Sequence, residues 1–197
     1  MSIVLVGSTS GSCTLQEQAV AGNTVLTLPT TSGTLITTGS SGQSIPKAAL
    51  PTGSVLQVVN ASSTSVVTIT TSTYTDTGLT ATITPTSASS KIIVLVNQEC
   101  YVQRASNFQG AGLKILRNGT DVYTPITDGT GPYDMYISAT GATLVELATK
   151  YNVNYVDSPA STSALTYKTQ ARPYYTTSSG QLYVQGTATM ILMEIAA

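Results

Sequence analysis

An all-β protein, an antiparallel β-sandwich or jelly roll behind a short β-rich N-terminal region, is the fold class that this sequence predicts. Three observations carry the prediction. Thr, Val, Ile and Tyr dominate the apolar runs, and these side chains fit a pleated, half-buried surface. Turn residues interrupt the runs at short intervals. Within the runs, side chains alternate with the period of two that a strand imposes. Helical spacing competes only over residues 143 to 151, TLVELATKY, and the NVNYV that follows alternates again, so the whole run is assigned to a strand.

Residues 1 to 38 read as short strands, SIVLVG, GNTVLTLP and GTLITT, punctuated by Gly7, Gly11, Gly22 and Gly33. They hold too little apolar material to fold alone. GSSGQSIPKAALPTG, residues 39 to 53, has the composition of a linker. Pro46 and Pro51 cannot donate ladder hydrogen bonds, and Gly39 and Gly42 loosen the chain. The expected organisation is therefore an attachment region with its linker over residues 1 to 53, and a sandwich domain over residues 54 to 197.

From Ser54 onward the strand candidates are SVLQVVN, TSVVTITT, LTATIT, KIIVLVNQECYVQ, GLKILRNG, ATLVELATKYNVNYVD, ALTYKTQAR, QLYVQ and ATMILMEI. Many short strands with almost no helix argue a sandwich or jelly roll. In the fourth candidate Ile92, Val94, Val96, Cys100 and Val102 share one face, and Ile93, Leu95, Asn97, Glu99 and Tyr101 share the other. Its first half is apolar on both faces, as is ATMILMEI. A strand of that kind in a small antiparallel sandwich needs a second covering layer, which a neighbouring subunit can supply.

Composition points the same way. Of 197 residues 41% are hydrophobic, enough for a real core, but only 9% are charged, against roughly 25% in an ordinary domain. With 8 Lys and Arg, 9 Asp and Glu and a net charge of -1, no basic field exists to hold nucleic acid or an anionic membrane. A nearly neutral surface lacks the repulsion that keeps small domains apart, so self-association is the expectation. Cys100 reads as a small buried hydrophobe, and Cys13 as a free thiol in a loop. No signal-like leader and no membrane-length apolar run is present, which implies synthesis in a cytoplasm.

The chain contains no histidine, which excludes Ser-His-Asp and Cys-His nucleophiles and imidazole metal ligands. Paired carboxylates remain, as in glycosidases, and Asp121, Asp128 and Asp134 in RNGTDVYTPITDGTGPYDMY are the candidates. The plainer reading makes these aspartates turn caps. Asp128-Gly-Thr-Gly falls short of a calcium loop, and GSTSG at residues 7 to 11 lacks the lysine of a phosphate-binding loop. No catalytic, metal or cofactor-binding residue is assigned. The sequons at Asn60 and Asn118 matter only in a secretory pathway. Eleven tyrosines stand against one phenylalanine and no tryptophan. Tyr133, Tyr136, Tyr174 and Tyr175 fall in expected loops, where ring faces with a hydroxyl tip suit sugars or protein contacts. Filling strand ends and subunit interfaces is the competing use.

TSTYTDTGLTATITPTSASSKIIVLVNQ, then LKILRNGTDVY, then NYVDSPASTSALTYKTQ and a closing TATMILMEIAA, in that order, resemble small virion surface proteins of tailed bacteriophages, especially cyanophages and other marine phages. Their C-terminal domain is similar to the jelly roll of trimeric C1q and tumour-necrosis-factor domains. The resemblance covers residues 54 to 197, and a looser one to the start of phage fibre proteins covers the N-terminal segment. It implies a non-enzymatic homotrimer on the outside of a phage particle, with capsid or tail proteins as partners and no catalytic residues to carry over. With only residues 1 to 53 available for a shaft, a capsid decoration (cement) protein or short fibre knob fits better than a long fibre. A tail fibre adhesin for host surface glycan is the alternative.

Overall fold

The structure is a computed structural model and describes residues 3–6, 12–15, 50–104, 109–125, 135–137, 144–174 and 181–197. The chain divides into two compact units, Met1–Ser44 and Ile45–Ala197. In the first, β1 (Ile3–Val6) and β2 (Ser12–Leu15) form an antiparallel pair with Ile3 opposite Leu15. Cys13, expected in a loop, is thus a strand residue opposite Leu5. SCTL is short, with Cys13 and Leu15 as its two apolar residues, and it pairs along its whole length with IVLV. The expected strands GNTVLTLP and GTLITT lie outside the described residues.

The second unit contains β3 (Val55–Ser63), β4 (Val67–Ile69), β5 (Thr75–Ile83), β6 (Lys91–Arg104), β7 (Gln109–Arg117), β8 (Thr120–Tyr123), β9 (Met135–Ile137), β10 (Val145–Asp157), β11 (Leu165–Pro173), β12 (Gln181–Val184) and β13 (Ala188–Ile195). Among the described residues there is no helix, and every strand pairing is antiparallel. The competing helical pattern over residues 143 to 151 resolves as part of β10.

The 14-residue β6 is the axis of the first sheet. Along one edge it pairs with β10, from Val145 opposite Arg104 to Asp157 opposite Ile92. Along the other it pairs first with β13 and then with β12, and β3 and β4 continue the sheet beyond them. The sheet is therefore four positions wide, two of them filled by interrupted strands. At the break between β12 and β13, Gly186 takes φ 74°, and a Cβ there would stand 2.5 Å from Glu99 Oε2. Only glycine meets both demands without strain.

The second sheet runs β5, β11, β7, β8, with β9 on the other half of β7. β8 and β9 fall in a stretch that sequence reasoning assigned to loops. The β7–β8 hairpin turns on Asn118 (φ 49°) and Gly119 (φ 86°), the Asn-Gly pair whose positive φ values match strand twist. Asn118 also exchanges backbone and side-chain hydrogen bonds with Thr166, its N donating to Thr166 O at 2.9 Å and its Oδ1 accepting from Thr166 N at 2.8 Å.

The two sheets face each other across one core. Ile92, Val94, Val96, Cys100, Val102, Met190 and Leu192 come from the first sheet, and Leu79, Ile83, Leu113, Ile115 and Tyr167 from the second. Each such burial stabilises by about 1.5–3 kcal/mol. The expected split of β6 holds: its even-numbered residues from Ile92 to Val102 are buried, and Ile93 to Tyr101 on the other face are half-buried.

Candidate functional site

The register of the first sheet places its outward side chains in rows. Val58, Met193, Ile93 and Val156 lie side by side across β3, β13, β6 and β10. The next row reads Asn60, Ile191, Leu95 and Asn154. Val58 is 57% exposed and Val156 56%, while Ile93, Leu95, Ile191 and Met193 are half-buried by one another. Six apolar side chains thus form a patch on one sheet face with no charge inside it. A contiguous patch of that kind marks a contact surface.

Farther along the same face the chemistry changes. Tyr183 stands opposite Tyr101, and Gln181 opposite Gln103, on β12 and β6. On the β10 side Ala148 lies beside Tyr101 and Glu146 beside Gln103. The two rings are 5.5 Å apart at a tilt of 59°. Gln103 Nε2 donates to Glu146 Oε1 at 3.0 Å, and the Tyr183 hydroxyl is bonded to Gln181 Oε1. A hydrogen bond to Glu146, with smaller effects of burial and charge, pushes the Tyr101 hydroxyl up to about 12.

The outer face of the second sheet is built differently. Lys168 and Gln170 both reach Asp76, at 2.9 and 2.5 Å, and Lys114 holds both oxygens of Asp121 at 2.9 and 3.1 Å. Lys114 and Arg172 also lie over the Tyr74 ring, 4.5 and 5.4 Å from its centre. Hydrogen bonds from Lys168 and then Gln170 hold the Asp76 carboxyl below its ordinary value.

Two buried carboxylates fasten the sandwich. Glu194, fully buried on β13, accepts from Thr86 N at 2.6 Å, Thr86 Oγ1 at 2.7 Å and Gln57 Nε2 at 2.6 Å. Burial alone would raise its pKa, but these hydrogen bonds outweigh burial and hold it low. Asp157 closes β10, accepting from Arg117 Nη1 at 2.5 Å and from the Tyr167 hydroxyl at 2.7 Å, which ties the edge of the first sheet to the second. Burial first, and then Asp157, pushes the Tyr167 hydroxyl upward. A recess near Thr86 is lined by Leu50, Leu56, three serines and two alanines, with no titratable side chain among them.

The sequence-derived candidates scatter. Tyr174 follows β11 and donates its backbone N–H to Gly110 O at 2.7 Å, and Tyr136 on β9 is paired with Gly110. These two therefore converge on one end of β7, where a Cβ on Gly110 would strike the Met135 carbonyl and lie 3.3 Å from Tyr174 Cβ. Tyr133 and Tyr175 lie outside the described residues, as do Asp128 and Asp134. Asp121 is bound up with Lys114. Cys100 is buried, and burial followed by the charge of Glu99 pushes its thiol up to about 12, so it offers no thiolate. Among the described residues no cluster of three metal-ligating side chains occurs, and no helix is long and apolar enough to cross a membrane.

No family model and no curated protein sequence matches the chain. Solved structures similar to it include dimeric latent PorU from Porphyromonas gingivalis, with TM-score 0.34 and 10% identity over 74% of this chain and 14% of that one. The VP2 protein of infectious bursal disease virus in its T=1 particles gives TM-score 0.30 and 14% identity over 80% of this chain and 41% of that one. The Gx strain of that virus gives 0.29 and 15% over 72% and 37%. This chain spans less than half the length of each of these. The resemblance to viral capsid protein is thus a weak one, at a level that defines neither a common topology nor a common activity.

Proposed function

We propose that this chain is a structural protein of a tailed-phage virion, a non-enzymatic homotrimer displayed on the particle surface as a capsid decoration protein or short fibre knob. The observation that carries the proposal is the row Val58, Met193, Ile93, Val156, with Ile191 and Leu95 beside it, left uncovered on a sheet face in a nearly neutral chain. Covering it with a second and third copy removes apolar surface from water and introduces no buried charge. Strand order supports the jelly roll of the C1q and tumour-necrosis-factor type. Taking β3, β5, β6, β7, β8, β10, β11 and β13 as first to eighth, one sheet reads first, eighth, third, sixth, and the other second, seventh, fourth, fifth. That is two Greek keys folded together. The resemblance of four segments, in their order, to phage surface proteins supports the virion setting, with residues 1 to 53 as the part that docks on capsid or tail.

Light scattering on the purified chain tests the assembly: the expected mass is three times the 20.3 kDa of one chain, and a stable monomer at micromolar concentration overturns the reading. An electron-microscopic map of the particle tests the setting, with density for this chain expected on its outside. The second reading, a host-glycan adhesin, is favoured by the convergence of Tyr136 and Tyr174 on Gly110. Cell binding lost on changing Tyr174 to Ala would support it, and absence of any cell binding would end it.

A further inference from the structure

We propose that the outer face of the first sheet carries a saccharide-binding site at Tyr101 and Tyr183, flanked by Gln103, Gln181 and Glu146, and that its ligand is a neutral glycan. The site uses none of the loop tyrosines, and it stands whether or not the chain belongs to a virion.

Register alone assembles it. Tyr101 and Gln103 are consecutive outward residues of β6, Tyr183 and Gln181 are their partners on β12, and Glu146 and Ala148 are their partners on β10. Three strands and two rows span about 10 Å by about 7 Å, the footprint of one or two pyranose rings. The rings supply apolar faces for sugar C–H groups, and Tyr hydroxyls tip those faces with polarity. Two amides and a carboxylate beside them offer donors and acceptors for paired sugar hydroxyls. Small, exposed neighbours flank the half-buried aromatic pair, Thr68 next to Tyr183 on β4 and Ala148 next to Tyr101 on β10, and leave a side approach to the rings.

The constellation is also held in place before any ligand arrives. The Tyr183 hydroxyl is tied to Gln181, and Gln103 is tied to Glu146. Groups already fixed lose little rotamer freedom on binding. Charge sets the ligand class. Glu146 lies in the cluster and Glu99 one row away, with Lys150 opposite Glu99 as the cation of that region among the residues whose side chains are described. The balance is negative, which disfavours uronates and sulfated sugars and leaves hydroxyl-rich neutral ones.

With eleven tyrosines and no tryptophan, tyrosine emission of the full chain reports on ring stacking. Titration with maltohexaose, cellohexaose and a galactan oligosaccharide, with polygalacturonate as the acidic comparison, tests the proposal. At least one neutral oligosaccharide is expected to bind. Its affinity should fall about tenfold or more in Tyr101→Ala and in Tyr183→Ala. The loss in Tyr101→Phe, which keeps the ring and removes a hydroxyl that could bond a sugar, should be about threefold. Tyr74→Ala on the other sheet should leave affinity unchanged. If the alanine variants fold poorly by circular dichroism, Tyr101→Phe and Gln103→Glu, which keep strand-forming bulk, are read in their place, both weakening binding. No binding to any neutral probe, which would reassign the tyrosine pair to a protein contact, overturns the proposal. So does binding that survives these changes, or binding confined to polygalacturonate.

Discussion

The two outer faces of the sandwich are made by the same kind of strand and finished in opposite ways. On the second sheet, Asp76, Lys168, Lys114 and Asp121 pair with one another, and Lys114 and Arg172 cover the ring of Tyr74. On the first, Val58, Met193, Ile93 and Val156 line up with Val58 and Val156 exposed, and the tyrosine pair follows. The outward charges of the first sheet, Lys91, Glu99, Glu146 and Lys150, stand in other rows than this one. One face pairs its charges with one another, and the other carries an apolar row with exposed Val58 and Val156 at its ends.

The largest effect is expected where that difference is attacked directly. Ile93→Lys puts a charge at the centre of the apolar patch, and association should weaken by at least about 3 kcal/mol, more than a hundredfold. Sedimentation should then find single chains with an unchanged β spectrum. Second comes the bond network shared by neither outer face. Glu194→Gln removes a buried carboxylate that accepts three hydrogen bonds, at a cost of about 2–3 kcal/mol in denaturant unfolding. Because its folded-state pKa is held below the ordinary 4.5, its contribution is complete above that value and is lost as pH falls through the lower folded-state pKa. The variant should therefore lose less stability than the parent between neutral and acid pH. Third, Gly186→Ala should cost about 1–2 kcal/mol by forcing a side chain at φ 74° against Glu99. The smallest effect belongs to the finished face. Lys168→Ala should change stability by less than about 1 kcal/mol, and high salt should erase the difference, since its pair with Asp76 is exposed.

Much of this contrast was legible in the sequence. The period-two pattern of β6 and β13 gave both their inward sets and their apolar outward sets, because strand alternation is a purely local signal. Strands that owe their existence to a partner were less visible. TDVY of β8 carries no alternation of its own and SCTL of β2 has only four residues of it, although Asn118-Gly119 before β8 is a hairpin signal in the sequence. The buried roles of Glu194 and Asp157 depend on Thr86, Gln57, Arg117 and Tyr167, which come from other strands, and no local pattern announces them. The same holds for Tyr101 and Tyr183. They meet only because β12 lies beside β6, whereas the tyrosines that clustered in sequence, Tyr133, Tyr136, Tyr174 and Tyr175, drew attention through proximity along the chain.

The pairing of β3 with β13, Ser63 against Ala188 and Val55 against Ile195, has a consequence in time. The first full strand of the sandwich cannot find its neighbour until the last of the thirteen has left the ribosome, so the first sheet closes late and through contacts remote in sequence. Topologies of that kind fold in milliseconds to seconds, far more slowly than local ones. During that interval both faces of β6 are bare, and nascent chains meeting on a shared polysome would do so with their apolar rows exposed. Growth temperature and expression rate should therefore decide the yield of correctly folded chain more strongly than the stability of the finished fold does.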